Sequence, residues 1–194
     1  MLFRPGPHAI TMATAKTGSF YLTETVILPA AGPASGRVQG EIDLGAYISV
    51  PQGLAIAVES VDWVIQSTSD FGQNYSSMLA ANGCISFQLS DLNPGTALIR
   101  ADDQSLVASG ALNIDLANNI GSQVADIYPD NFGPSNLSEA FLVVNDSLYV
   151  VAGNDNAAMG GNNVFVTARI KCRVVKLSTK DWMAIAIQST ASDN

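Results

Sequence analysis

The sequence predicts an all-β chain folded as a sandwich or barrel. Apolar residues recur with period two in short runs, the mark of half-buried strands. Clusters of Gly, Pro, Asn, Asp and Ser separate these runs roughly every 10–20 residues. Sustained apolar spacing at i, i+3, i+4 and i+7 is scarce, so eight to nine strands and no helix longer than about two turns are expected.

The first strand is read over Phe20–Leu28, rich in β-branched and aromatic residues. Arg37–Val50 follows, with Val38, Ile42 and Leu44 in register, and Pro51-Gln52-Gly53 closes it as a turn. Leu54, Ile56 and Val58 share one face, as do Val61, Trp63 and Ile65, but the two triplets are one residue out of phase. That offset predicts a β-bulge near Glu59-Ser60. Ser67–Ser77 reads as a polar loop. Cys84–Leu89 alternates cleanly, Asp91–Gly95 is a turn, and Thr96–Arg100 reads as a strand. Residues 102–122 are ambiguous, a short helix or an irregular crossing. Ile127–Ser138 reads as a loop, Ala140–Val144 and Leu148–Val151 as strands around Asn145-Asp146, and Gly153–Asn163 as a loop of small and polar residues. Val164–Leu177 is the longest strand pattern, and Trp182–Gln188 is read as its last companion. Loops of about ten residues suit connections that jump between sheets, as in Greek keys and jelly rolls. The full assignment is a single jelly-roll β-sandwich of about eight antiparallel strands over residues 18–190. An extended arm over residues 1–17 precedes it and a tail over 191–194 follows. The inward set is Ile56, Val58, Trp63, Ile65, Phe87, Val166, Ile170, Val174 and Ile185.

Composition narrows the function. Charged residues are 13% of the 194, about half the usual share, while 47% are hydrophobic, which excludes a disordered chain. Low surface charge suits a subunit covered by neighbours. The net charge of −8 argues against a surface that binds nucleic acid or anionic lipid throughout. No apolar run is long enough for a membrane-spanning helix. The opening stretch MLFRPGPHAITMATAK lacks a signal-peptide core, so secretion by a cleaved signal is not expected.

Catalytic chemistry finds little footing. His8 is the one histidine and lies in the arm, so a nucleophile activated by a positioned imidazole is not expected. Histidine-rich cupin sites and His/Cys zinc sites fail for the same reason, and phosphate-cradling glycine motifs are missing. Asn154-Asp155-Asn156 and Asp126–Asn131 hold calcium-type oxygens without a calcium-loop spacing, and turn formation explains them better. No cofactor is expected and the chain is not read as an enzyme. Cys84 and Cys172 lie in alternating apolar segments and read as small buried hydrophobes, with a disulfide between them as the alternative.

The most informative segment is Val164–Leu177. Val166, Ala168, Ile170, Cys172 and Val174 share one face; Thr167, Arg169, Lys171, Arg173 and Val175 share the other. Arg169, Lys171 and Arg173 form a basic stripe, with Lys176 and Lys180 close behind. It is read either as a solvated or cross-strand-paired face or as a contact for an acidic neighbour.

The arm through Lys16, the β-rich run from Phe20, the domain size and the closing motif NVFVTARIKCRVVKLSTKDWMAIAIQS (residues 163–189) together resemble the single jelly-roll major capsid proteins of icosahedral viruses. The resemblance implies a shell-forming subunit of a virion. Its partners would be copies of itself in pentamers and hexamers, with other capsid proteins or an internal membrane as further neighbours. Synthesis in the host cytoplasm would need no signal peptide. It makes Arg4, Pro5, Pro7, His8 and Lys16 an assembly arm. The acidic neighbour read for Arg169, Lys171, Arg173, Lys176 and Lys180 from the stripe itself is another subunit, genome phosphate or a lipid headgroup. Residues 1–20 carry only Arg4 and Lys16 as cations, so genome contact would not run through a strongly basic arm. The alternative is a receptor- or carbohydrate-binding β-sandwich, which the aromatics Phe71, Tyr75, Tyr128 and Phe132 in predicted loops would serve.

Overall fold

The computed structural model describes residues 13–68, 71, 74–125 and 140–191. In chain order these form β1 (Thr14–Ala15), β2 (Phe20–Leu28), β3 (Arg37–Asp43), β4 (Leu54–Ser67), α1 (Tyr75–Met78) and β5 (Gly83–Ser90). There follow β6 (Leu106–Asp115), β7 (Ile120–Ala125), β8 (Phe141–Val143), β9 (Ser147–Asp155), β10 (Val164–Lys176) and α2 (Thr179–Ala191). Two antiparallel sheets stack as a β-sandwich. One has the order β2–β10–β4–β8, with β1 extending the β2 edge along β10; the other has the order β3–β9–β5–β6–β7.

The core lies between the sheets. Ile56, Val58, Phe87, Val166, Ile170 and Val174 are buried there as expected. Trp63 and Ile65 are half-buried at its margin, with the Trp63 ring 4.7 Å from that of Phe87. The predicted bulge is present: Lys171 pairs with Ser60 and Cys172 with Val58, so Glu59 is the extra residue. At the β2 and β3 edges the two sheets close tightly over Gly40. A Cβ there would stand 2.8 Å from Val26 Cγ1 and 2.5 Å from Glu24 Oε1. Glu24 shares the inward row of β2 with Val26, and burial raises its carboxyl above the usual range.

Several expectations are corrected. Trp182–Gln188 is helical, within the 13-residue α2. Ser178 caps it: its Oγ accepts from Asp181 N at 3.1 Å and donates to Asp181 Oδ2 at 2.6 Å. Ile185 consequently leaves the inter-sheet core. It packs with Trp182 and Ala186 on a second cluster, Ala55, Ala57, Val144, Val175 and Leu177, on the outer face of the first sheet. Thr96–Arg100 is not a strand. Both neighbours of β5 are already β6 and β9, and Ile99 is held instead by the Gln88 amide, which donates to Ile99 O and accepts from Ile99 N, each at 2.7 Å. Residues 102–122 contain neither a helix nor an irregular crossing but most of the β6–β7 hairpin. Its turn is built by Asp115 Oδ1 accepting from Ala117 N at 3.1 Å and by Asn119 at φ 50°. The Asn118 side chain beside Asp115 holds that carboxyl below its ordinary value. Finally, β9 runs on through Asp155, into the predicted loop.

Residues 14–17 of the predicted arm are tied to the first sheet along β10. Thr14 pairs with Lys176 and Ala15 with Val175; Lys16 N donates to Val174 O at 2.8 Å. Arg4, Pro5, Pro7 and His8 lie outside the described residues.

Candidate interaction surface

The predicted basic stripe lies on the outer face of the first sheet, and the bulge changes what it can do. Glu59 is displaced onto that face, yet its side chain is only 6% exposed because three side chains close over it. Ser19 Oγ donates to Oε2 at 2.9 Å, Lys171 Nζ stands 3.7 Å from the same oxygen, and the Arg173 guanidinium hydrogen-bonds Oε1 through Nε and Nη2. Two of the three stripe cations are therefore spent within the sheet, the cross-strand-paired reading. Arg169 differs. It is exposed, its Cζ lies 5.3 Å from the Tyr21 ring centroid, and its backbone pairs face Asp62 and Thr23.

Lys176 and Lys180 are exposed. Lys180 stands in the first turn of α2, away from the stripe's strand. Lys176 ends the inward row of β10 and lines a groove of about 730 Å³ with Lys16, Thr17, Tyr47, Gln52 and Leu54. Two cations from separate expectations, arm and stripe, thus meet. The signal was in the sequence: the alternation that places Val174 inward places Lys176 inward too.

Cys84 and Cys172 are free thiols on different sheets. Burial, and secondarily the Glu59 charge, push the Cys172 thiol up to about 12. Of the calcium-type oxygens, Asp155 Oδ1 is held by Arg37 Nη2 at 2.5 Å. The Asn154 amide donates to Pro33 O at 2.9 Å and Ala157 O at 2.6 Å, stitching two loops together. Asp126–Asn131 lie outside the described residues.

The loop aromatics do not form one surface among the described residues. Phe71 is 70% exposed, whereas Tyr75 sits in α1 against the main core and under Gly121. Tyr128 and Phe132 lie outside the described residues. Large apolar side chains are instead exposed at several places: Tyr21 and Ile27 on the outward row of β2, Val50 in the β3–β4 turn, Ile120 on β7, and Met183 and Ile187 on α2. No helix among the described residues is long and apolar enough to cross a membrane.

No protein-family model matches the chain, and no curated protein does. Among solved structures, a chain of turnip yellow mosaic virus is similar at 11% identity and a TM-score of 0.35, over 89% of this chain and 93% of that one.

Proposed function

We propose that this chain is a structural subunit that self-assembles with its own copies, in pentamers and hexamers, into the icosahedral shell of a virion. The fold reading behind it is a single jelly roll. In support, β2 pairs with β10, β3 with β9, β4 with β8 and β5 with β6. This is the nested order of one long antiparallel ribbon wrapped into two sheets. Fold alone does not assign a function. The observation that carries the assignment is the spread of exposed apolar side chains over both sheets: on the outward row of β2 and on α2 over the outer face of the first, and on β7 at the edge of the second. A tile in a closed shell needs contacts on several sides; a binding module needs one concentrated patch. Negative-stain microscopy of the purified chain tests this. Closed shells or regular pentamers and hexamers are expected, and dispersed monomers at high concentration would contradict the proposal.

A further inference from the structure

We propose that the groove at the mouth of the sandwich is an anion site, with the ammonium groups of Lys16 and Lys176 as its two ligating cations. The register puts them there. Ala15 pairs with Val175 and Lys16 N bonds Val174 O, so Lys16 lies opposite Val174, on the same face as Lys176 two residues on. Diagonal like charges on one sheet face repel. Among the described residues no ion pair reaches either ammonium and no carboxylate lines the groove, in a chain with 17 acidic and 9 basic residues. An oxyanion between them relieves the repulsion and gains two charge-assisted hydrogen bonds.

The surroundings are fixed and shaped. Thr17 Oγ1 accepts from Val174 N at 3.0 Å, which sets where the chain leaves β1. Tyr47, whose ring centroid lies 5.3 Å from that of Phe20, is also part of the lining. Pro51, Leu54 and Val174 supply an apolar wall. About 730 Å³ is within the range of small-molecule sites. The ligand class is a small multivalent oxyanion, a phosphate ester or a polycarboxylate, whose uncharged part rests on that wall.

Calorimetric titration of the full chain with inorganic pyrophosphate and, separately, citrate at low salt tests the site. One saturable site per subunit is expected for at least one probe, and which probe binds tells phosphate from carboxylate chemistry. Lys16→Gln and Lys176→Gln should each weaken it by about tenfold or more, the scale of one lost hydrogen bond between charged groups. Lys180→Gln, which removes the same charge outside the groove, should leave it unchanged. Melting curves of all three variants show whether the fold is kept. Absence of saturable binding by both probes, or equal weakening by Lys180→Gln, would overturn the proposal.

Discussion

Glu59 is the residue on which the outer face of the first sheet turns. Its carboxylate is almost fully buried while Lys171 and Arg173 keep partial access to water. Removing it strands two cations that can still reach solvent. Glu59→Ala should therefore cost about 1–3 kcal/mol, below the 3–5 kcal/mol typical of a fully buried pair. The melting temperature would fall by about 2–4 °C per kcal/mol, measured by calorimetry; an unchanged value would mean that the cluster contributes nothing. The two flanking arginines should then behave differently. Arg169→Glu leaves the fold intact, because Arg169 is exposed over Tyr21. Arg173→Glu sets a second carboxylate against buried Glu59 and lowers stability. Equal melting temperatures for the two variants would show that the pairing is not formed in solution.

The same neighbourhood sets the chemistry of Cys172. With its thiol pushed to about 12, it stays protonated at pH 8 and inert to an alkylating reagent, while half-buried Cys84 reacts. One thiol should react in the native protein and two after unfolding; two fast thiols in the native state would contradict the burial. The folded value lies above the ordinary 9.0, so the native state holds this proton more tightly than the unfolded chain. Its contribution to stability is complete below about pH 9 and is lost as pH rises towards about 12.

Among the elements, α2 is where reading the sequence and reading the fold part company. Trp182, Ile185 and Ala186 face the sheet, but Met183 and Ile187 on the other side are apolar as well. With both faces apolar, the period of 3.6 is blurred and the segment passes for a strand. The legible signal was the cap, Ser178 three residues before Asp181. Ser178→Ala should cost about 1 kcal/mol. Trp182→Ala should reduce the helical part of the far-UV circular dichroism while leaving the β signal, since the cluster under α2 is separate from the main core. Loss of both signals would make α2 part of the folding core. The β6 strand was hidden for another reason: Ala108, Ser109 and Gly110 are too small to show alternation at the strand's centre. By contrast β2, β4, β5 and β10 were legible because their inward rows carry large side chains. The bulge at Glu59 was legible because it breaks that row by one residue. The Glu59 cluster itself was not, since pairing across residues 19, 59, 171 and 173 needs the strand register.

For the whole molecule, the chain repeatedly crosses from one sheet to the other, from β2 to β3 to β4 to β5 and again from β7 to β8 to β9 to β10. Among the described residues this leaves β2, β3, β7 and β8 as edge strands, which other copies would meet in the proposed shell. Few charges are available to keep so many exposed apolar residues apart in solution. The most direct measurement is the molar mass of the purified full chain by light scattering, across protein concentration at low and high salt. The account predicts discrete multiples of 20.3 kDa, pentamers, hexamers and larger closed species, growing with concentration. A mass that stays at one subunit at every concentration and salt would contradict it.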